Sequence, residues 1–320
     1  MLSVLLSALF PPGRWSKLTI LKYHQILTEP DQLFPGAPDV ACFDWQMQTL
    51  KQYFNVFTLG DAIALFKQGK LPSRAVCVSF DDGYADNYTL ALPILKKYQI
   101  PATVFVATGL LNGGVMWNDA VVHALRNCPK TEIDLTRLDL PCFHLNDFSQ
   151  RRDAIETLLP HYKRMDPSQR REKINALQDS CAVAPPTQLM MTDTQLKALY
   201  HAGIEIGGHT QNHPVLSHID LAKARTEIGA GKEYLESLTG GKVTVFAYPY
   251  GLPGEDYLSE HVGLLKNMGF SGAVSTSWGV AKPSHDPYQL PRMSPSSRNK
   301  WYFMGRMAQN LRIPPRQVPT

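Results

Sequence analysis

The chain has 320 residues, of which 44% are hydrophobic and 19% charged, and its formal net charge is +4. This composition is that of an ordinary globular protein, so it excludes a fibrous or a disordered chain. No basic stripe with interleaved aromatic residues is present, and we therefore expect no nucleic-acid partner. The five cysteines are odd in number and include no C-x-x-C pair, which argues against a disulfide framework and a cysteine-built zinc site.

The first sixteen residues are predicted to form a separate apolar segment. Residues 1–10 are apolar except for Ser3 and Ser7. They lack the basic start and the small-residue cleavage site of a secretory signal, and they are too short to span a bilayer. The leucines fall on one helical face, which indicates a helix docked on the protein or, alternatively, a peripheral membrane contact through residues 1–10. The sequence thus predicts a cytoplasmic protein, with membrane association as the alternative.

Short apolar runs then alternate with helical patterns, which is typical of a β/α architecture. In chain order, extended segments are predicted at 18–23, 56–59, 75–80, 102–107, 204–207, 243–247, 272–275 and 289–293. Helices between them are predicted at 43–54, 62–68, 91–98, 193–201, 221–238 and 257–268. Ser217 and Asp220 are predicted to form a capping box at the start of the helix at 221.

The segment from about 119 to 190 interrupts this alternation. It contains a predicted helix at 119–126, extended polar segments around 131–145 and charged helices up to 178. We interpret it as an insertion that flanks or caps a site. The predicted fold is therefore α/β, a distorted (β/α)7-type barrel over residues 17–320, with an insertion between the second and third catalytic-strand regions.

Three short segments follow directly on predicted strands, at the rim where β/α barrels build their active sites. Asp81 and Asp82 follow the strand at 75–80, and these adjacent carboxylates point in different directions; the pair also suits an Asx turn. His209 and His213 have the i, i+4 spacing of two metal ligands, although loop histidines bonded to the backbone are the alternative. The turn 248–251 alone indicates only the end of a strand.

Together, one carboxylate and two imidazoles form an open zinc-type set, and a spare carboxylate can act as a general base. At this point the sequence resembles the polysaccharide deacetylase family, the NodB-homology group of carbohydrate esterases. Residues 79–83 match its (T/S)FDDG motif, 209–213 its H(S/T)xxH motif and 249–251 its PYG turn. The sequences of residues 92–109 and 201–210 are also similar to those of this family. The resemblance covers most of the chain outside the insertion.

The resemblance implies a role for each matching residue. It assigns a divalent metal ion to one carboxylate and two imidazoles: Asp82, His209 and His213. Zinc is the first choice, with cobalt or nickel as alternatives at such an N/O site. Asp81 would be the general base that deprotonates the attacking water, and the backbone N–H of Tyr250 would hold the oxyanion. Thr210 would orient the histidine loop.

The sequence departs from the family pattern at two places. The family has an arginine, paired with the base, where this chain has Ala247; we expect Arg292 to reach the same carboxylate from another strand. The usual carboxyl-terminal histidine, the general acid, is not evident, since His261 and His285 lack its context. His24 ends the first strand and is the candidate acid, as in branches of the family with a rotated motif order. The alternative is a structural histidine.

The implied function is hydrolysis of N-acetyl groups on a polysaccharide or sugar conjugate, with a carbohydrate as the partner. Two alternatives remain open at this point. One is a deacylase or deformylase of a lipid-linked or nucleotide-linked sugar, and the other is a degenerate carbohydrate-binding module without turnover. Trp117 and Trp278 could stack on a sugar ring or could be core or rim residues.

Overall fold

The computed structural model describes residues 9–320, so most of the predicted apolar segment at 1–10 lies outside the described residues. The chain divides into two compact units. The first comprises the chain up to Glu29, Gly36–Leu111 and Met191–Thr320, and the second comprises Pro30–Pro35 and Asn112–Met190. None of the described helices is both long and apolar enough to cross a membrane. The predicted cytoplasmic location and membrane contact remain predictions.

The elements alternate as the sequence predicts, and we number them in chain order. The strands are β1 (Thr19–Tyr23), β2 (Asn55–Phe57), β3 (Ala75–Phe80), β4 (Thr103–Val106), β5 (Glu132–Asp134), β6 (Cys142–His144), β7 (Glu205–Gly208), β8 (Val245–Ala247) and β9 (Gly272–Val274). The helices are α1 (Val40–Tyr53), α2 (Leu59–Lys67), α3 (Leu92–Tyr98), α4 (Trp117–Asn127), α5 (Phe148–Lys163), α6 (Pro167–Cys181), α7 (Asp193–His201), α8 (Leu221–Thr239), α9 (Ser259–Asn267) and α10 (Lys300–Asn310).

The first unit is built on a curled parallel sheet of seven strands. Its order is β1-β3-β4-β7-β8-β9, and β2 pairs with β3. The extended segment 290–293 joins the two ends, because Leu290 bridges Val274 and Met293 bridges Leu21, both in parallel. The predicted β/α barrel is therefore confirmed. Since the paired strands run parallel, their carboxyl ends lie at one edge, the carboxyl-terminal rim.

The strand β3 shows how the sequence produces this sheet. All six of its residues are buried, as expected for a parallel strand covered on both faces. Val76 and Val78 pack in the outer layer with helix residues, whereas Ala75 and Cys77 belong to the cluster that fills the inside of the sheet. Continued alternation past the end of the strand directs Asp81 to the inside.

Helices α1 and α2 each begin three residues before the predicted starts at 43 and 62, because the side chain of an N-cap residue accepts a hydrogen bond from the first turn. Helix α1 begins at Val40, where the Asp39 carboxylate accepts a hydrogen bond of 2.7 Å from the Cys42 N–H. Helix α2 begins at Leu59 after the cap Thr58. The predicted capping box at Ser217 is wrong: Asp220 is itself the N-cap of α8.

The second unit contains the segment interpreted as an insertion. Helices α4, α5 and α6 accompany the antiparallel pair β5–β6, and they enclose an apolar core that includes Val121, Leu158 and Leu177. Trp117 begins α4, and the Arg170 guanidinium lies 4.8 Å from its ring centroid. The ring therefore has a cationic partner within this unit, and a sugar-stacking role for Trp117 stays a prediction.

Candidate active site

Three side chains predicted to bind a metal converge at the carboxyl-terminal rim. Asp82 follows β3, and His209 and His213 lie on the loop after β7. Asp82 Oδ1 lies 3.3 Å from the Nε2 atom of each imidazole, and the two Nε2 atoms are 3.1 Å apart. Within residues 9–320, this is the one group of three or more histidine, cysteine or carboxylate side chains whose ligand atoms all lie within 4.8 Å of one another.

These separations fit a divalent cation. Zinc ligands at bond lengths of about 2.0–2.2 Å in tetrahedral geometry lie about 3.3–3.6 Å from one another, close to the observed triangle. The contact of 2.7 Å between His209 Nδ1 and the Ala247 carbonyl oxygen places the ring proton on Nδ1 and leaves the Nε2 lone pair for a metal. The donor set therefore suits zinc or a similar ion.

The electrostatics of the group also suit metal binding, which requires ionised carboxylate and neutral imidazole. Desolvation by burial, the largest influence, lowers the pKa of His213 to about 3. Desolvation would raise the pKa of Asp82, but contact with His209 and the nearby His213 hold that pKa well below its ordinary value. Both side chains therefore have the protonation states of ligands at neutral pH.

The loops that carry these residues have unusual backbone conformations. Asp82, Thr210, His213 and Tyr250 all have positive φ angles, between 53° and 76°. Left-handed conformations in non-glycine residues cost roughly 1–3 kcal/mol each and cluster at functional sites. The Thr210 hydroxyl stabilises the histidine loop, because it donates to the His209 carbonyl at 2.5 Å and accepts from the His213 N–H at 3.0 Å.

A residue that the sequence did not single out, Glu227 on α8, holds the same loop from outside. Its buried carboxylate accepts hydrogen bonds from the Gln211 N–H at 3.2 Å, the Asn212 N–H at 2.8 Å and the Asn212 side-chain amide at 2.8 Å. Helix α8 approaches closely at Gly231, where an added Cβ would lie 2.8 Å from the Thr210 carbonyl oxygen. A glutamate on an amphipathic helix gives no sequence signal of such a role.

The second carboxylate, Asp81, forms a buried ion pair with Arg292. Two guanidinium nitrogens lie 2.6 and 2.7 Å from its two oxygens, and Arg292 Nε donates to the Ser275 carbonyl at 2.9 Å. Desolvation would raise the pKa of Asp81, but the Arg292 charge together with His209 lowers it to about 2. Arg292 thus reaches the Asp81 carboxylate from the segment 290–293, as predicted from the sequence, and Ala247 is uncharged at the position where the family has an arginine.

The end of β1 contributes two further groups. Part of the His24 side chain is exposed to solvent, whereas the protein around the rest of it desolvates the imidazole and lowers its pKa from 6.5. The charge of Lys22 lowers this pKa further, while Asp82 and Asp81 oppose the shift. Lys22 is half-buried, and desolvation together with Arg292 lowers its pKa to about 8. The sequence analysis missed Lys22, although a lysine at an inward position of a buried strand was a usable signal.

The other candidates divide into rim residues and structural residues. The Tyr250 ring centroid lies 4.8 Å from that of His213, and its carbonyl accepts from the Thr276 hydroxyl at 2.7 Å. Trp278 follows β9 and is 37% exposed. The ring nitrogens of His261 and His285 accept local backbone N–H bonds, so both residues serve their own turns.

Known proteins that are similar to this chain belong to one family. The family model described as polysaccharide deacetylase matches residues 68–131 and 160–273. A poly-beta-1,6-N-acetyl-D-glucosamine N-deacetylase of Staphylococcus aureus is 32% identical over 171 residues, which is 52% of this chain and 58% of that protein. The chain therefore spans little more than half the length of this relative.

Two solved structures show the same fold. A Streptococcus pyogenes deacetylase, PplD, in complex with acetate has a TM-score of 0.59 at 21% identity and covers 88% of this chain and 92% of its own. IcaB from Ammonifex degensii has a TM-score of 0.58 at 20% identity and covers 93% and 98%. At these identities the likeness concerns the fold alone, and it agrees with the curled parallel sheet described above.

Proposed function

This chain belongs to the polysaccharide deacetylase family, and on that premise we propose that it hydrolyses the acetyl amides of N-acetylhexosamine units in a glycan, using a divalent metal ion. The observation that carries the proposal is the convergence of Asp82, His209 and His213 beside a second, ionised carboxylate. A divalent cation supplies Lewis acidity that polarises the amide carbonyl. Zinc is our first choice, with cobalt and nickel as alternatives.

Asp81 takes the proton from the attacking water. Its carboxylate is ionised at neutral pH, and the bidentate contact with Arg292 fixes its orientation. Each carboxylate oxygen has a second lone pair, so this contact leaves acceptor capacity for a water molecule. Arg292 thus fills the role that the family gives to an arginine at the position of Ala247.

The remaining roles concern the oxyanion and the leaving group. The backbone N–H of Tyr250 donates to the developing oxyanion, supported by the strained turn that carries it beside His213. His24 donates a proton to the leaving amine, supported by its place at the end of β1 near both carboxylates. Its replacement by alanine is expected to reduce turnover strongly while the metal content stays the same.

We propose a glycan of N-acetylglucosamine as the substrate. The name of the S. aureus relative supports this choice. The alternatives are a lipid-linked or nucleotide-linked N-acyl sugar as the substrate, or a carbohydrate-binding module without turnover. The presence of both Asp81 and Asp82 argues against a binding module without turnover. Binding a sugar does not require a second carboxylate, paired with an arginine, beside the proposed metal ligands Asp82, His209 and His213.

A release assay tests the proposal. The zinc-loaded protein is incubated with N-acetylglucosamine oligomers and with lipid-linked N-acyl sugars, and acetate and formate are measured. We expect acetate from the oligomers, its loss after chelation and its return when zinc is restored. Protein with one metal ion per chain that releases no acyl group from any of these substrates would contradict it.

A further inference from the structure

Two cysteine thiols lie against each other in the apolar core of the second unit. Cys128 follows the last residue of α4 and is 3% exposed, and Cys181 is the last residue of α6 and is fully buried. The two thiols share a hydrogen bond. All five cysteines carry free thiols in this structure, so the contact is not a covalent bond here. The proposed reaction uses neither residue.

The other three cysteines have oxygen atoms as partners. The Cys42 and Cys77 thiols donate to backbone carbonyl groups, and the Cys142 thiol donates to a carboxylate. Cys128 and Cys181 differ from them because each has a second thiol as its neighbour. Within residues 9–320, the proposed metal ligands at the rim are the one close group of three or more possible ligands, so this pair has no third ligand for a metal ion.

Further contacts hold the ends of α4 and α6 together around the pair. Lys130 Nζ donates to the Ser180 carbonyl at 2.6 Å. These residues stand two positions after Cys128 and one position before Cys181. The Arg151 guanidinium of α5 donates to the Cys128 carbonyl at 3.0 Å. The backbone is therefore tied on both sides of the two thiols, which keeps the sulfur atoms close to each other.

The size of the second unit gives a cross-link a large effect on its stability. The unit has about 85 residues, and small domains bury a smaller fraction of their surface than large ones. Residues 129–180 lie between the two cysteines and include α5 and most of α6. A covalent bond between the cysteines closes this long loop in the unfolded chain and reduces its conformational entropy. Such a bond would stabilise α4, α5 and α6 against unfolding.

We propose that Cys128 and Cys181 form a disulfide bond when the chain folds in an oxidising environment. The two thiols lose two protons and two electrons, and a small-molecule disulfide such as oxidised glutathione takes them up and becomes two thiols. Rotation about the two Cα–Cβ bonds brings the sulfur atoms from their present contact to bonding distance. In a reducing environment the pair remains two thiols. A single bond is not the disulfide framework that the odd number of cysteines argues against.

The bond forms while the chain folds rather than afterwards. Burial, together with the neighbouring Cys128, raises the pKa of the Cys181 thiol to about 12. The thiolate is the form that attacks a disulfide, so the folded, reduced protein exchanges slowly with an external disulfide. Burial likewise keeps reductants away from the bond once it has formed.

Peptide mapping of protein folded under oxidising conditions tests the bond. The chain is synthesised in a cell-free system that contains reduced and oxidised glutathione, its remaining thiols are alkylated in denaturant, and linked peptides are identified by mass spectrometry. We expect a peptide that joins Cys128 to Cys181 in wild type and in Cys142→Ser, a control that removes an exposed thiol of the same unit. Cys181→Ala should lack this peptide, as should wild type synthesised with a reductant.

The mapping gives a clear result in wild type even if a cysteine variant folds poorly. Alkylation of both Cys128 and Cys181 in the oxidised wild type, or a bond from either one to another cysteine, would overturn the proposal. The stabilising role is measured by limited proteolysis. We expect cleavage within residues 129–180 to be roughly tenfold slower in oxidised than in reduced wild type and Cys142→Ser, and equal in the two forms of Cys181→Ala. Equal cleavage rates in the two forms of wild type would contradict that role.

Discussion

Two carboxylates at opposite ends of the same sheet have pKa values that are shifted in opposite directions. Asp81, at the carboxyl end of β3, is buried against Arg292, and its pKa falls to about 2. Glu205, at the amino end of β7, accepts from the Thr103 hydroxyl at 2.6 Å and from the Gly60 N–H at 3.0 Å, and desolvation raises its pKa. An added Cβ on Gly60 would lie 2.3 Å from the Glu205 carboxylate, so glycine makes this contact possible.

The difference shows that burial of a carboxylate does not by itself indicate chemistry. Among residues 9–320, the hydrogen-bond donors to Glu205 are neutral and lie partly at the N-terminus of α2, which is a structural use of a carboxyl group. Asp81 pairs with an arginine and lies beside the proposed metal ligands Asp82, His209 and His213, at the carboxyl-terminal rim. The location in the sheet and the charge of the partner, rather than burial, separate the carboxylate that we propose to be catalytic from the structural one.

The largest expected effect comes from neutralising the two carboxylates separately. Asp81→Asn removes the proton acceptor, and we expect kcat to fall by about 10²–10⁴-fold while one metal ion per chain is retained. Glu205→Gln, the matched change at the other end of the sheet, should leave kcat within about twofold, because Glu205 lies at the amino end of β7, opposite the rim that carries the candidate active site. Steady-state kinetics together with metal analysis checks both variants. Equal losses of kcat in the two would contradict the different roles assigned to Asp81 and Glu205.

Removal of the arginine tests the cause of the lowered pKa. Arg292→Met leaves the Asp81 charge buried without a partner, which should reduce the free energy of unfolding of the metal-free protein by about 3–5 kcal/mol at pH 7. In wild type, the folded pKa of Asp81 lies below its unfolded value, so this stabilisation is present above about pH 4 and is lost as the pH falls towards 2.

The difference in the free energy of unfolding between wild type and Arg292→Met should therefore become smaller as the pH falls below 4. Urea unfolding at several pH values measures this difference. Lys22→Met is the control, since no ion pair of Lys22 is found among residues 9–320 and its ammonium is already disfavoured by desolvation. An equal loss of stability in both variants would mean that the bidentate Arg292–Asp81 pair contributes no more to the free energy of unfolding than Lys22 does.

Support of the histidine loop predicts a smaller effect. Glu227→Gln leaves a single acceptor oxygen, so the two backbone N–H groups and the Asn212 side-chain amide can no longer all be satisfied as they are now. We therefore expect zinc affinity to weaken by roughly 10–100-fold. Glu236→Gln is the control on the same helix, because that carboxylate accepts from the Val243 N–H, away from the metal set. Zinc affinity is measured by titration against a competing chelator. Equal zinc affinities of the two variants would refute the role of Glu227 in supporting the histidine loop.

The smallest effect concerns stability at the amino end of the sheet. The folded pKa of Glu205 lies above its ordinary value of 4.5, so the folded state binds more protons than the unfolded state between these two values. Stability contributed by this group is therefore present below pH 4.5 and is lost as the pH rises through the folded pKa. Glu205→Gln should remove that dependence in urea unfolding between pH 4 and 7; an unchanged pH dependence would contradict it.

Sequence reasoning located the site because its evidence is local. The strand at 75–80 is a continuous apolar run that ends in Asp81 and Asp82, and the histidine motif follows another strand in the same way. In a parallel sheet such ends must meet at one rim. Arg292 was predicted from the resemblance to the family, because the family's arginine is absent at Ala247 and Arg292 stands at the end of another extended segment.

Long-range contacts without a local pattern were missed. Glu227 looks like any glutamate on a helix, and its role depends on the close approach of α8 at Gly231. Likewise, Pro30–Pro35 belongs to the second unit, where the Asp31 carboxylate pairs with Arg126, 95 residues away along the chain. No periodicity predicts a contact between segments so far apart.

The most direct test is anomalous diffraction from crystals of the zinc-loaded protein, recorded at the zinc absorption edge. We expect one strong peak per chain, about 2.0–2.2 Å from Asp82 Oδ1, His209 Nε2 and His213 Nε2, with Asp81 beyond bonding distance and still paired with Arg292. A peak at other residues, or zinc bound directly by Asp81, would contradict the division of roles between the two carboxylates.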